Sequence, residues 1–241
     1  MRVSMETAVI LAGGKSLRLI PLTLEIPKTL VEVNGKPIIY WIVRWLGGFG
    51  VKHIVMAVAY KKDEIIRYMK ENSSFGLAVE FSEDPGRGQM YAYKLAIDRF
   101  VKDENFIAMN ADELTNMDLS KLVDMHAERK PIVTMAVAPF SPRFGIVRLG
   151  DHGKVVGFEY GKRLKDVPVN MGIYIFNRKI TDYIPGPDTS EDVVYGKLAK
   201  VGGIAAHMLA DGEEWSTVNT VKDVQEAEAS IRKWGWGEKR A

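Results

Sequence analysis

Over the first half of the chain, short unbroken blocks of apolar residues alternate with longer stretches in which apolar residues recur every three or four positions. Residues 7–12 form one such block, closed by Gly13-Gly14, and read as a parallel strand buried on both faces. Pro37 then opens a helical stretch through Ile38, Ile39, Ile42, Val43, Trp45 and Leu46 that stops at Gly47-Gly48. The alternation repeats. Further strands are predicted at 53–59, 78–81, 106–109 and 132–138, and helices at 61–71, 89–100 and 119–129. Strands separated by helices of this length imply right-handed βαβ units, so the expected fold class is α/β: a Rossmann-like, mostly parallel sheet flanked by helices.

From Phe144 the pattern changes. Segments 145–149 and 155–158 flank a turn at Asp151-His152-Gly153, the mark of an antiparallel hairpin and hence of a smaller lobe. Another strand is predicted at 170–177, and helices at 192–200 and 221–233. No internal repeat, long linker or low-complexity tract divides the chain. A single domain over residues 1–241 is expected, with a first part of about 140 residues and a second part from about 141 onward.

Composition narrows the classes of function. The 33 Lys and Arg nearly balance 31 Asp and Glu, so no global field favours nucleic acid or a membrane surface, and any cationic site must be local. Without cysteine, disulfide staples and thiolate metal sites are excluded, and His53, His126, His152 and His207 show no ligand spacing. The amino terminus runs straight into a strand with no signal-peptide core, and no apolar run has spanning length; a soluble cytoplasmic protein is expected. The basic, aromatic tail at 231–240 reads as a helix end whose tryptophans cover apolar surface of the body or of a neighbouring subunit. Self-association, rather than nucleic acid, is therefore its expected partner contact.

Ligands on parallel sheets bind beyond the carboxyl ends of the strands, which points to Gly13-Gly14, to residues 83–88 and to residues 110–112. Glycines after a strand let backbone amides approach phosphate oxygens, because no Cβ intervenes. Arg18 adds a forked cation and Lys28 a point charge. Residues 106–112 form an apolar strand that ends in the carboxylate of Asp112. Neither a Walker Gly-Lys-Ser/Thr nor a three-glycine dinucleotide fingerprint is present.

This set, Leu11-Ala12-Gly13-Gly14 with Arg18, Pro27-Lys28 and Gly35-Lys36-Pro37, resembles the signature of the sugar-phosphate nucleotidyltransferases of compact single-domain type. These enzymes join a nucleoside triphosphate to a sugar 1-phosphate, giving an NDP-sugar and pyrophosphate. The resemblance continues through 81–88, 106–119, 144–159, 170–176 and 215–227, and implies that the late hairpin is a sugar-side lobe. It also implies that Leu11, Ala12, Gly13, Gly14 and Ser16 hold the nucleotide and that Arg18 binds the triphosphate. Lys28 would sit near the α-phosphate and the incoming phosphate. By the same resemblance Asp112 holds Mg²⁺, Glu83 and Gly88 meet the base, and Gly145, Glu159 and Asn170 contact the sugar, with Lys162 a further cation for the sugar phosphate. Glu83 can accept hydrogen bonds from a guanine edge, while a backbone amide or water would serve uracil or thymine, so the base stays open.

The chain also departs from the family pattern. Ser16 and Leu17 replace a glycine and a threonine, and Gln89-Met90-Tyr91 replaces Gly-Thr-Ala. Glu159-Tyr160-Gly161-Lys162-Arg163 stands where Glu-Lys-Pro is expected. The late motif usually carries an aspartate two residues after its tryptophan, as the second metal ligand, but here the sequence reads Trp215-Ser216-Thr217. Either Asp112 holds the metal with phosphates and water alone, or another acid such as Glu214 reaches in, or catalysis is impaired. Two further readings follow: a nucleotide or nucleotide-sugar binding protein without turnover, and a nucleotidyltransferase for a non-sugar phosphate such as a polyol or choline phosphate.

Overall fold

The computed structural model describes residues 5–236. Its strands are β1 (Thr7–Leu11), β2 (Glu32–Val33), β3 (Lys36–Pro37), β4 (His53–Val58), β5 (Ala78–Glu83), β6 (Asn105–Asn110), β7 (Glu113–Thr115), β8 (Val133–Phe140), β9 (Ile146–Leu149), β10 (Val155–Glu159), β11 (Leu164–Asn177), β12 (Ile204–Met208) and β13 (Trp215–Thr217). Its α-helices are α1 (Leu22–Glu25), α2 (Ile38–Gly48), α3 (Lys62–Glu71), α4 (Gln89–Phe100), α5 (Leu119–Arg129), α6 (Glu191–Lys200) and α7 (Val221–Lys233).

A seven-stranded sheet in the order β12-β8-β11-β6-β1-β4-β5 forms the centre. All its pairings are parallel except those of β11, which runs antiparallel to both β6 and β8. The mostly parallel sheet read from the sequence is therefore the observed one, with small antiparallel sheets at β9–β10, β7–β13 and β2–β3. Strand periodicity explains why the blocks look uniformly apolar. On β1, Ala8 and Ile10 enter one core with α2, α3, α5 and α7, while Val9 enters a second core with α4 and α6. Both faces are covered, so successive positions Ala8, Val9 and Ile10 are all apolar.

The chain winds outward from β1 to β4 and β5, then crosses back to place β6 on the other side of β1. This reversal opens a crevice at the carboxyl ends of β1 and β6, where ligands of open α/β sheets bind. β11 begins earlier than the predicted 170–177. Its first residues, Leu164 to Pro168, pair with the end of β8 and are largely exposed, so nothing in their polarity marks a strand.

The aromatic tail folds back on the body. Trp236 stacks on Trp41 of α2 with ring centroids 6.1 Å apart, and Trp234 donates its indole N–H to Glu214 at 2.9 Å. Residues 237–240 of the tail and residues 1–4 lie outside the described residues. Among the described residues, no helix is long and apolar enough to cross a membrane.

Candidate active site

The crevice between β1 and β6 is a cavity of about 520 Å³. Leu11, Ala12, Gly13, Gly14 and Ser16 form one wall, Gly88 and Gln89 at the start of α4 another, and Lys28, Asn110 and Asp112 the floor towards β6. Gly13 has a steric reason to lack a side chain. A Cβ there would lie 2.5 Å from Asp84 Oδ2 and 3.1 Å from the Ala59 Cβ. Gly88 adopts φ +98, in the left-handed half of the map that glycine tolerates, as the chain enters α4. Ser16 sits in a left-handed turn, and its carbonyl accepts from the Thr23 hydroxyl at 3.1 Å. Leu17, at the position of the family threonine, points outward and is 70% exposed, so that substitution removes a hydroxyl without filling the cavity.

Lys28 is the hub of the cationic side. Its Nζ lies 2.5 Å from Asp112 Oδ2 and donates to Asn219 Oδ1 at 3.0 Å. Arg18 is exposed and reaches the same Asn219 oxygen at 3.1 Å. The Asn219 amide donates in turn to Thr217 Oγ1 at 2.7 Å, and Thr217 lies 3.3 Å from Glu113 Oε1. The sequence reading missed both Asn219 and Glu113. Asn219 lies two residues after Thr217, yet its contact with Lys28 spans 191 positions and leaves no local signature. Glu113 is buried; burial pushes its carboxyl well above the usual carboxylate range, and the neighbouring Asp112 charge adds to the effect.

A second cavity of about 420 Å³ lies on the other side of Thr217, lined by Trp215, Thr217, Arg143, Arg163, Val169 and Asp223 among others. Arg143 is anchored on buried Asp223 at 3.0 Å. The Lys28–Asn219–Thr217 chain therefore runs from the floor of the first cavity to the wall of the second.

Several expected residues fall elsewhere. Glu83 does not line the first cavity: its carboxylate pairs with Lys62 on the exposed edge, and that hydrogen bond and charge hold it below the usual carboxylate range. The next residue, Asp84, faces the cavity instead, because the chain leaves β5 after Glu83 and turns inward. Glu214, the alternative acid for the missing ligand, is committed to Lys233 and the Trp234 indole and does not line the cavity. On the hairpin, Glu159 pairs with Lys162 at 2.8 Å and Arg148 at 3.1 Å, leaving Arg163 rather than Lys162 on the second cavity. Gly145 accommodates a ring, since a Cβ there would come within 2.3 Å of Phe158. Asn170 is exposed and bonds Tyr174 and the Gly172 amide.

Comparison with known proteins agrees with this geometry. Residues 7–233 match the family described as Nucleotidyl transferase. The mannose-1-phosphate guanylyltransferase of Mycobacterium tuberculosis is 29% identical over 234 residues, covering 93% of this chain and 64% of its own length. The UTP--glucose-1-phosphate uridylyltransferase of Synechocystis is 27% identical over 241 residues, covering 91% of this chain and 62% of its own length. The chain thus spans just under two thirds of each of these relatives. Among solved structures, the inositol-1-phosphate CTP transferase from T. maritima shares the fold with a TM-score of 0.74 at 20% identity, covering 97% of this chain and 98% of that one. Because the match covers residues 7–233, from β1 through β6 to the late β13 segment, the chain belongs to the nucleotidyl transferase family.

Proposed function

We propose that this chain joins a nucleoside triphosphate to a sugar 1-phosphate, forming an NDP-sugar and releasing pyrophosphate. The observation that carries this reading is the hydrogen-bonded chain Lys28–Asn219–Thr217 between two cavities, one glycine-walled and one holding two arginines. In the reaction an oxygen of the sugar phosphate attacks the α-phosphorus. The bond from that phosphorus to the bridging oxygen breaks, and pyrophosphate leaves with the electron pair.

Both reactants are polyanions, so the main task is to hold them together against repulsion. Glycine-loop amides serve the triphosphate and Lys28 the α-phosphate in the first cavity, Arg18 adds a cation beside Asn219, and Arg143 with Arg163 in the second cavity serve the incoming phosphate. The oxygen-rich floor suits Mg²⁺, a hard cation that keeps waters and takes substrate phosphates as ligands. Asp112 would hold it, and Asn110 Oδ1, buried and without a hydrogen-bond partner among the described residues, is a second free oxygen at the same strand end. Among the described residues, no three His, Cys, Asp or Glu gather as a metal cluster, so phosphates and water would supply part of the coordination shell. When bound, the cation neutralises charge on the phosphates.

Pyrophosphate release tests the reading. ATP, CTP, GTP, UTP and dTTP are each paired with glucose, mannose and galactose 1-phosphates, with inositol 1-phosphate and choline phosphate as non-sugar acceptors. Turnover with a hexose 1-phosphate, lost by about 10²-fold or more in Asp112→Ala, is expected. Nucleotide binding with no release from any pair would establish the binding-protein reading, and release with non-sugar acceptors alone the non-sugar one.

A further inference from the structure

Asn219 meets both cations of the nucleotide side with a single atom. Its Oδ1 accepts from Lys28 Nζ at 3.0 Å and from Arg18 Nη2 at 3.1 Å, so each lone pair of the amide oxygen takes one cation. The two nitrogens therefore stand no further apart than two hydrogen-bond lengths. The other end of the amide sets its direction. Asn219 Nδ2 donates to Thr217 Oγ1 at 2.7 Å, and that hydroxyl donates onward to Glu113 Oε1 at 3.3 Å, which leaves the amide oxygen facing the cations. The backbone on either side is tied as well: the Val218 N–H donates to the Asp112 carbonyl and the Asn219 N–H to Asp223 Oδ2, both at 3.0 Å.

The two cations depend on this oxygen unequally. Lys28 lines the first cavity and keeps its ion pair with Asp112 whatever stands at position 219. Arg18 is exposed and lies outside that lining, so the bond to Asn219 is what ties its guanidinium to the crevice. A long exposed side chain without such a tie gives up rotamer freedom when it meets a ligand. Helix capping does not explain the side chain of Asn219, because Thr220 caps α7 and Asp223 closes the box.

We propose that Asn219 is a positioning residue that docks Arg18 beside Lys28, so that the two cations receive neighbouring phosphates and the chain prefers nucleoside triphosphates to monophosphates. The proposal rests on the nucleotidyltransferase reading for the place of the triphosphate, and not on turnover. Lys28, in the cavity, meets the α-phosphate; Arg18, on the exposed side of the shared oxygen, meets the next phosphate out. A monophosphate reaches only the first. The neutrality of the amide matters. Two like charges this close repel, and the amide oxygen holds both without cancelling either, whereas a carboxylate would offset charge that the polyanion needs.

The test is calorimetric binding of GTP and GMP, and of UTP and UMP, to the full chain with Mg²⁺ and no sugar phosphate. Asn219→Ala should weaken the triphosphates by about tenfold or more and leave the monophosphates unchanged, whereas loss of a merely structural residue would weaken both. Arg18→Ala should give the same loss, and the double variant no further loss, because Asn219 acts through Arg18. Equal weakening of both ligand classes in Asn219→Ala, additive losses in the double variant, or a native chain with no preference for triphosphates would overturn the proposal. Should Asn219→Ala fail to fold, Arg18→Ala carries the test on an exposed residue: a diminished triphosphate preference supports the pairing, and an unchanged one contradicts it. Binding and turnover are read separately. A preference that Asn219→Ala removes, in a chain that releases no pyrophosphate, would sink the transferase reading alone; turnover with the preference intact in Asn219→Ala would sink this proposal alone.

Discussion

At the scale of single residues, the proposed reaction depends most on Lys28. It is already bonded to Asp112 and Asn219, so it is fixed in place before substrate arrives, and a preorganised cation acts without reorganisation as charge moves. Lys28→Met should lower kcat by about 10²–10³-fold with little change in nucleotide affinity, as measured by steady-state kinetics and calorimetry. A loss confined to KM would instead place Lys28 in ground-state binding. Gly13 makes a different prediction, because its contacts are steric. Gly13→Ala forces the new methyl against Asp84 and Ala59, so nucleotide affinity measured by calorimetry should fall while the melting temperature moves little. Unchanged affinity would mean that the nucleotide does not approach this wall.

At the scale of elements, α7 fastens the late motif to the body. Thr220 and Asp223 form a capping box, and Asp223 also accepts from the Asn219 backbone N–H at 3.0 Å and anchors Arg143. Thr220→Ala should cost about 1 kcal/mol in chemical denaturation. Helix α5 carries a pH-sensitive contact. Burial holds the His126 imidazole down at about 4, against 6.5 when free, and its ring nitrogens meet Thr134 at 2.8 Å and Asn105 at 3.0 Å. As pH falls below about 6.5 the unfolded chain takes up a proton that the native chain refuses until about 4. Stability is therefore lost on acidification across that window, by about 3 kcal/mol in total. Urea denaturation at pH 7 and pH 4.5 should show a smaller difference in His126→Gln than in the native chain; equal differences would remove His126 from the account. The elements themselves differed in legibility. Helix α4 spans the predicted 89–100 because its buried positions recur at helical spacing, and β1 stands out because both its faces are covered. The first half of β11 was invisible because its side chains face solvent, and β13 because three residues carry no period. The same contrast holds at the site. Gly13, Gly14, Lys28 and Asp112 could be read from spacing and strand ends, whereas Asn219, Asp84 and Glu113 enter through long-range contacts and the turn after β5.

At the scale of the molecule, the strand order sets up the chemistry. The reversal at β1 opens the nucleotide crevice, while antiparallel β11 and the late β13 segment wall off a second cavity that no purely parallel sheet would enclose. Asp84 and Gln89 line the first cavity, and a side-chain acceptor on that wall is placed to discriminate between bases. Asp84→Asn should accordingly change the ranking of nucleoside triphosphates more than the maximal rate with the preferred one, a competition assay being the check. The central claim is that the two cavities exchange a nucleotidyl group. It is tested most directly by ³¹P NMR of the chain with Mg²⁺, its preferred nucleoside triphosphate and a hexose 1-phosphate. The account predicts that the diphosphate signals of an NDP-sugar grow in step with inorganic pyrophosphate, one for one. Unchanged spectra, or orthophosphate without a new diphosphate linkage, would contradict it.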